Sequence, residues 1–157
     1  MLGENCSALI VQNRGFSNMD KNALHYACWI IEKLSRVTGN PKKIVVDGFG
    51  ESGLKYLLEF YDILHCENQD KIIDELLEDY NLGQLQPLNN DADLPSVGNI
   101  AGTYKRLIED CYPDDFVGGL SEVFHSTLAE YIDDYRLPVY FASSSYLAKS
   151  YKAGELL

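Results

Sequence analysis

Gly48, Gly50 and Gly53 stand in the spacing G-x-G-x-x-G, between the apolar run Ile44-Val45-Val46 and a helix-like stretch from Leu54 to Phe60. In a dinucleotide-binding turn such glycines let the backbone approach a pyrophosphate lying on a helix N-terminus, and an acid about 20 positions on holds the ribose. The parts can be drawn here: residues 43–46 as the strand, 54–60 as the helix, 61–64 as a second strand and Glu67 as the acid. Three features weigh against that chemistry. Asp47 would set a carboxylate beside the phosphates, and the helix would be about two turns long where a crossover needs more. The rest of the chain also lacks the alternation of strand and helix that a parallel sheet requires. The competing reading is a short helix over 41–50, opened by Pro41 after Asn40, and a glycine-rich joint into a second helix from about Ser52. A small-ligand, nucleotide or enzymatic site in the 47–66 region is kept as an alternative.

Two other groupings could do chemistry. His25 and Cys28 lie at i and i+3 of one helix and His65-Cys66 at a helix end, which makes a four-ligand metal set on paper. Each of the four also falls on an apolar stripe or at a helix cap, where core packing is the commoner use, and His65 is expected to hydrogen-bond a helix end. His125 with Ser121 and Ser126 has no defined nucleophile-base spacing. The sequence therefore points to no catalytic residue, no metal and no cofactor.

Across the 157 residues, 24 acids against 13 bases give a net charge of −11. That balance disfavours nucleic-acid phosphates and anionic lipid, and favours solubility or a basic protein partner. The surplus is uneven: residues 1–40 carry four bases and three acids, 41–82 four and ten, and 83–157 five and eleven. No window approaches the roughly 20 apolar residues of a membrane span, and the first residues lack a basic signal-peptide start. A cytoplasmic protein with no membrane partner is expected. Cys6, Cys28, Cys66 and Cys111 form no C-x-x-C pair, so reduced thiols are the expectation.

The elements that must position any site follow from periodicity. Leu24, Ala27, Cys28, Ile31, Leu34 and Val37 predict a helix from Asn18 to Gly39, which Gly39, Asn40 and Pro41 end. Trp29 and Ile30 widen its stripe, so it is expected to be central. Ile72, Ile73, Leu76, Leu77 and Tyr80 predict an amphipathic helix between Asn68 and Asn81. Residues 82–96 lose periodicity, as a linker would. Val97 to Cys111 carries another stripe, ending near Pro113. The next, Phe116 to Tyr135, reads as one helix of about 20 residues in which Gly118-Gly119 implies a close helix-helix approach. Residues 136–142 are too short a run to assign, though an edge strand would fit, and the serines at 143–145 cap a terminal helix. The expected fold is mainly α, six to seven helices in a compact bundle-like domain with at most minor short strands. An N-terminal segment 1–17 precedes a helical half 18–82, a linker 83–94 and a second helical half 95–157 packed on the first.

The run from Leu34 to Tyr80 carries Thr38-Gly39, Ser52-Gly53-Leu54, Tyr56-Leu57, Tyr61-Asp62-x-Leu64-His65 and Ile72-Ile73-Asp74. In these residues, somewhat under half of the chain, it resembles the small bacterial domain-of-unknown-function family 3791, and the Tyr-Asp-x-Leu-His run is the most specific part. The resemblance implies an all-helical fold with the glycines at helix joints, brings no known activity, and makes a role in an operon-encoded partner pair plausible. One departure matters: where the family has threonine after Leu-His, this chain has Cys66. A thiol is a poor acceptor for free helix amides, so the cap is expected to move to Asn68.

On the 68–81 helix, Asp74 with Glu78 and Glu75 with Asp79 are like charges at i,i+4, each pair costing about 0.2–0.5 kcal/mol. Glu78 and Asp79 also stand at the helix C-terminus, where the macrodipole disfavours anions. Fold stability does not account for them; solubility does, or recognition of a basic protein surface. Seven of the eleven tyrosines lie from Tyr104 onward, and tyrosines beside acids suit partner surfaces. The expected partner-binding residues are Asp74, Glu75, Glu78, Asp79, Tyr131, Asp134 and Tyr135. They would serve a non-enzymatic acidic module, an adaptor or antitoxin-like protein with a basic partner. A DNA mimic built on the acid rows is a further alternative, and homo-oligomerisation is left open.

Overall fold

The computed structural model describes residues 20–82 and 93–157, and the structural statements below concern these residues. They form α1 (Lys21–Thr38), α2 (Lys42–Glu59), α3 (Tyr61–Leu64), α4 (Gln69–Asp79), α5 (Val97–Cys111), α6 (Phe116–Val123), α7 (Thr127–Asp133), a 3₁₀ turn (Pro138–Phe141) and α8 (Ser144–Ala153). The mainly α expectation holds, and no strand occurs among the described residues. The expected segment 1–17 and most of the expected linker 83–94 lie outside them.

α1 is central, as its broad stripe predicts. Asp20 caps it by accepting from the amides of Asn22 (2.8 Å) and Ala23 (3.2 Å), and Gly39 ends it at φ 72°, donating to the Ser35 carbonyl. Leu24, Ala27, Ile31 and Leu34 are fully buried. α1 packs against α5 and α2, and α6 packs against α2 and α5. The two sequence halves thus share one core. Burial of each such Leu or Ile contributes about 1.5–3 kcal/mol, and that is what holds the helices together.

The glycine run resolves as helix, joint, helix. Ile44 to Val46 are helical, not a strand, and Gly50 alone leaves the helical region, at φ 66° and ψ 179°. Gly48 and Gly53 answer to packing instead. A Cβ on Gly48 would collide with the Leu82 side chain, and one on Gly53 would come within 2.9 Å of the Tyr80 ring.

The structure departs from the expectations at four points. The stripe from Phe116 to Tyr135 is two helices, because side chains at the break compete for the backbone. The Ser126 hydroxyl donates to the Val123 carbonyl (2.6 Å) and accepts from the Ala129 amide (3.2 Å), closing α6 and opening α7. Residues 138–141 are a 3₁₀ turn rather than an edge strand, begun by Pro138. Thiols are free at Cys28 and Cys111, but Cys66 is disulfide-bonded. With α6 and α7 separate and α3 a short helix of its own, the helices number eight among the described residues, not six or seven. The close approach expected at Gly118-Gly119 is present: a Cβ on Gly119 would lie 2.6 Å from Ile108 Cγ2 of α5.

Candidate functional site

α4 begins at Asn68, whose side chain accepts from the Lys71 amide (3.1 Å), the cap expected once threonine is replaced by Cys66. Ile72, Ile73 and Leu76 face the core, and the helix packs on α1. Its other side is left to water, so Asp74, Glu75, Glu78 and Asp79 are all exposed. Lys71 reaches Glu75 at 3.9 Å, but it also lies 3.4 Å from Glu67 and is itself well exposed. One shared lysine leaves the row strongly negative.

Beside the row stands Tyr56 of α2, 36% exposed. Burial raises its hydroxyl pKa, and Asp79 and Glu75 raise it further, so the ring lies within electrostatic reach of the acids. The tyrosine-acid surface expected near the C-terminus therefore has its counterpart on α4. Sequence spacing missed Tyr56 because it lies on a different helix; only its place in the Tyr56-Leu57 family run singled it out.

The other expected partner residues are not part of this face. α7 packs on the 3₁₀ turn and α8. Tyr131 is 37% exposed, and Asp134 is held in a two-pronged pair by Arg136 at 2.8 and 2.9 Å. Tyr135 points inward, its hydroxyl donating to Glu32 (2.7 Å) and accepting from Lys42 (3.0 Å).

Tyr135 thereby joins a polar network inside the molecule. Lys42 Nζ lies 2.7 Å from Glu32 Oε1 and 2.7 Å from Asp133 Oδ1. Arg36 Nε donates to Glu32 Oε2 (2.7 Å), and its guanidinium also reaches the Pro95 carbonyl (2.6 Å). Tyr104 donates to Asp133 Oδ1 at 2.6 Å. Glu32, Arg36 and Lys42 are 2%, 6% and 4% exposed. Burial works against the Lys42 charge, but Asp133 and Glu32 outweigh it and hold the ammonium above the usual lysine range. Two bases against two acids, each of the four side chains held by at least two partners, make a structural clasp rather than a reactive group.

His125 likewise has both ring nitrogens engaged. Nδ1 faces the Ser121 carbonyl at 2.6 Å and Nε2 faces Asp47 Oδ1 at 2.7 Å. Carbonyl and carboxylate oxygens only accept, so this geometry needs an N–H on each nitrogen, the imidazolium. No nitrogen is left to deprotonate a serine. The Ser121 carbonyl first, and Asp47 with it, raise the His125 pKa above 6.5 against the effect of burial. The pair's stabilisation is thus complete below pH 6.5 and fades as pH rises through the higher folded-state value. An NMR titration should place the His125 midpoint above 6.5 and Asp47→Asn should lower it; a wild-type midpoint at or below 6.5 would rule out the pair in solution.

Comparison with models of known protein families, with curated proteins and with solved structures finds no match to this chain.

The Tyr-Asp-x-Leu-His run forms α3 and its end. Leu64 is buried, Tyr61 and Asp62 are half-buried, and His65 is exposed. The His65 ring stacks on Tyr61, centroids 4.4 Å apart and planes 17° apart. Its Nδ1 meets the Tyr61 carbonyl at 2.7 Å, the helix-end hydrogen bond expected of it. Cys28 is buried in the core, and no group of three His, Cys, Asp or Glu that could hold a metal occurs among the described residues.

Proposed function

We propose that the chain is a cytoplasmic, non-enzymatic interaction module, an adaptor or antitoxin-like protein that binds a basic partner protein through α4. The observation that carries this reading is the row Asp74, Glu75, Glu78 and Asp79, exposed together with one shared lysine for counter-charge. Like charges at i,i+4 cost helix stability, and the core-facing side of α4 already docks the helix without them. Tyr56 adds an aromatic anchor at the edge of the row, the pairing of ring and charge that partner surfaces favour. The resemblance to family 3791 and a place in a partner pair encoded with this chain belong to the same proposal.

Neutralising the row as D74N/E75Q/E78Q/D79N tests it. The variant should fold with unchanged or slightly higher stability, because repulsion is relieved. A basic protein that co-purifies with the wild type from native lysate, and leaves it as salt is raised, should be absent from the variant preparation. Equal recovery of that protein by both chains, or recovery of free protein alone, would overturn the reading.

A further inference from the structure

Two clefts meet on the side of α1 that faces α5. The first, about 290 Å³, is walled by the rings of Tyr26, Trp29, Tyr61 and His65 and edged by the amides of Asn22 and Gln69. The second, about 390 Å³, runs along α5 past Arg106 to Tyr140. His25 and Lys105 line both. Together they reach the range typical of small-ligand sites, about 300–1,000 Å³.

The chemistry of the two parts differs. In the first, Tyr26 and Tyr61 hold their centroids 5.5 Å apart at 58°, and Tyr61 is backed by the stacked His65 ring. Burial pushes the Tyr26 hydroxyl up to about 12, so it stays a donor. A flat, rigid ring finds faces to stack on here, and side-chain amides offer the paired donor and acceptor that a base edge requires. At the junction Lys105 is fixed by Glu109 at 2.9 Å, and Lys21 offsets that carboxylate from 3.8 Å. Arg106 is exposed and makes no hydrogen bond or ion pair among the described residues.

Lys105 and Arg106 make a positive pair on a chain of net charge −11, and burial together with these two cations lowers the His25 pKa and leaves its ring a neutral neighbour; the pair selects by sign. It rejects the cationic ligands that aromatic walls otherwise attract. The overall charge rejects nucleic acid, a polyanion. What suits both parts is a small molecule with a planar heteroaromatic ring at one end and a compact anion at the other. We propose that the two clefts together bind a mononucleotide, its base against Tyr26, Trp29 and Tyr61 and its phosphate at Lys105 and Arg106. The ligand thus engages Tyr61 and His65 of the 47–66 region while leaving the glycine turn out of the site.

The site is separate from the α4 acid row, so the partner test and this one stand or fall independently. Trp29 is the single tryptophan of the chain, and its fluorescence therefore reports occupancy directly. Titration with 5′-AMP and 5′-UMP should change that emission with Kd about 1 mM or tighter. Adenosine, lacking the phosphate, and ribose 5-phosphate, lacking the base, should each bind about tenfold more weakly. Arg106→Gln alters an exposed side chain and should fold; it is expected to weaken nucleotide binding about tenfold while leaving adenosine unchanged. Tyr61→Leu should weaken both. No response to either nucleotide at about 10 mM, equal binding of ribose 5-phosphate and 5′-AMP, or an Arg106→Gln variant with wild-type affinity would each overturn the proposal.

Discussion

Lys42→Met is expected to destabilise the fold by about 3–5 kcal/mol, the cost of leaving a buried ion group without its partner. Methionine fills a similar volume, so the loss reports charge and not a cavity. Glu32, 2% exposed, keeps only Arg36 among the two cations that face it. Asp133 is 30% exposed and can recover water, so Asp133→Asn should cost less, about 1.5–3 kcal/mol, the value of one charge-assisted hydrogen bond. Urea unfolding followed by circular dichroism gives both numbers. A Lys42→Met loss under about 1 kcal/mol, the usual worth of an exposed pair, would show that water reaches the network.

Gly50→Ala is the second large effect. A φ of 66° with ψ of 179° is a region that essentially glycine alone occupies, and forcing another residue into it costs of order 1–3 kcal/mol. A Cβ there would meet nothing within 4 Å, so the penalty is purely conformational. Thermal unfolding should register it, and a small D-amino acid introduced by chemical synthesis at the same position should restore wild-type stability. An alanine variant as stable as the wild type would mean that α2 runs straight through residue 50.

What the sequence disclosed was local. The cap at Asn68, the stop at Gly39, the joint among the glycines and the close approach at Gly119 each rest on residues within a turn or two of one another. Periodicity and cap chemistry read such features directly. The break between α6 and α7 escapes periodicity because Leu128 and Ile132 continue the apolar stripe across it; its signal is Ser126, whose hydroxyl serves the backbone. The interior network was hidden more deeply. Its bonds join residues 91 and 103 positions apart, and Glu32, Arg36 and Lys42 carry the charges that sequence reasoning assigns to water. Tyr135 was placed on a partner surface for the same cause: a tyrosine beside two aspartates looks exposed until Lys42 and Glu32 come to meet it. The aromatic cleft gathers Tyr26 and Trp29 of α1 with Tyr61 of α3, and only the Tyr-Asp-x-Leu-His run hinted at it.

The clasp at Lys42 also bears on how such a chain can change over generations. Glu32, Arg36 and Lys42 come from the first half and together carry one positive charge in excess; Asp133 of the second half supplies the balancing negative charge. A recombinant that joined this first half to a second half without Asp133 would inherit an unmatched cation in its interior. Loss of Asp133 leaves Lys42 sharing Glu32 with Arg36, so such a recombinant starts less stable and gains by replacing the lysine with a neutral residue.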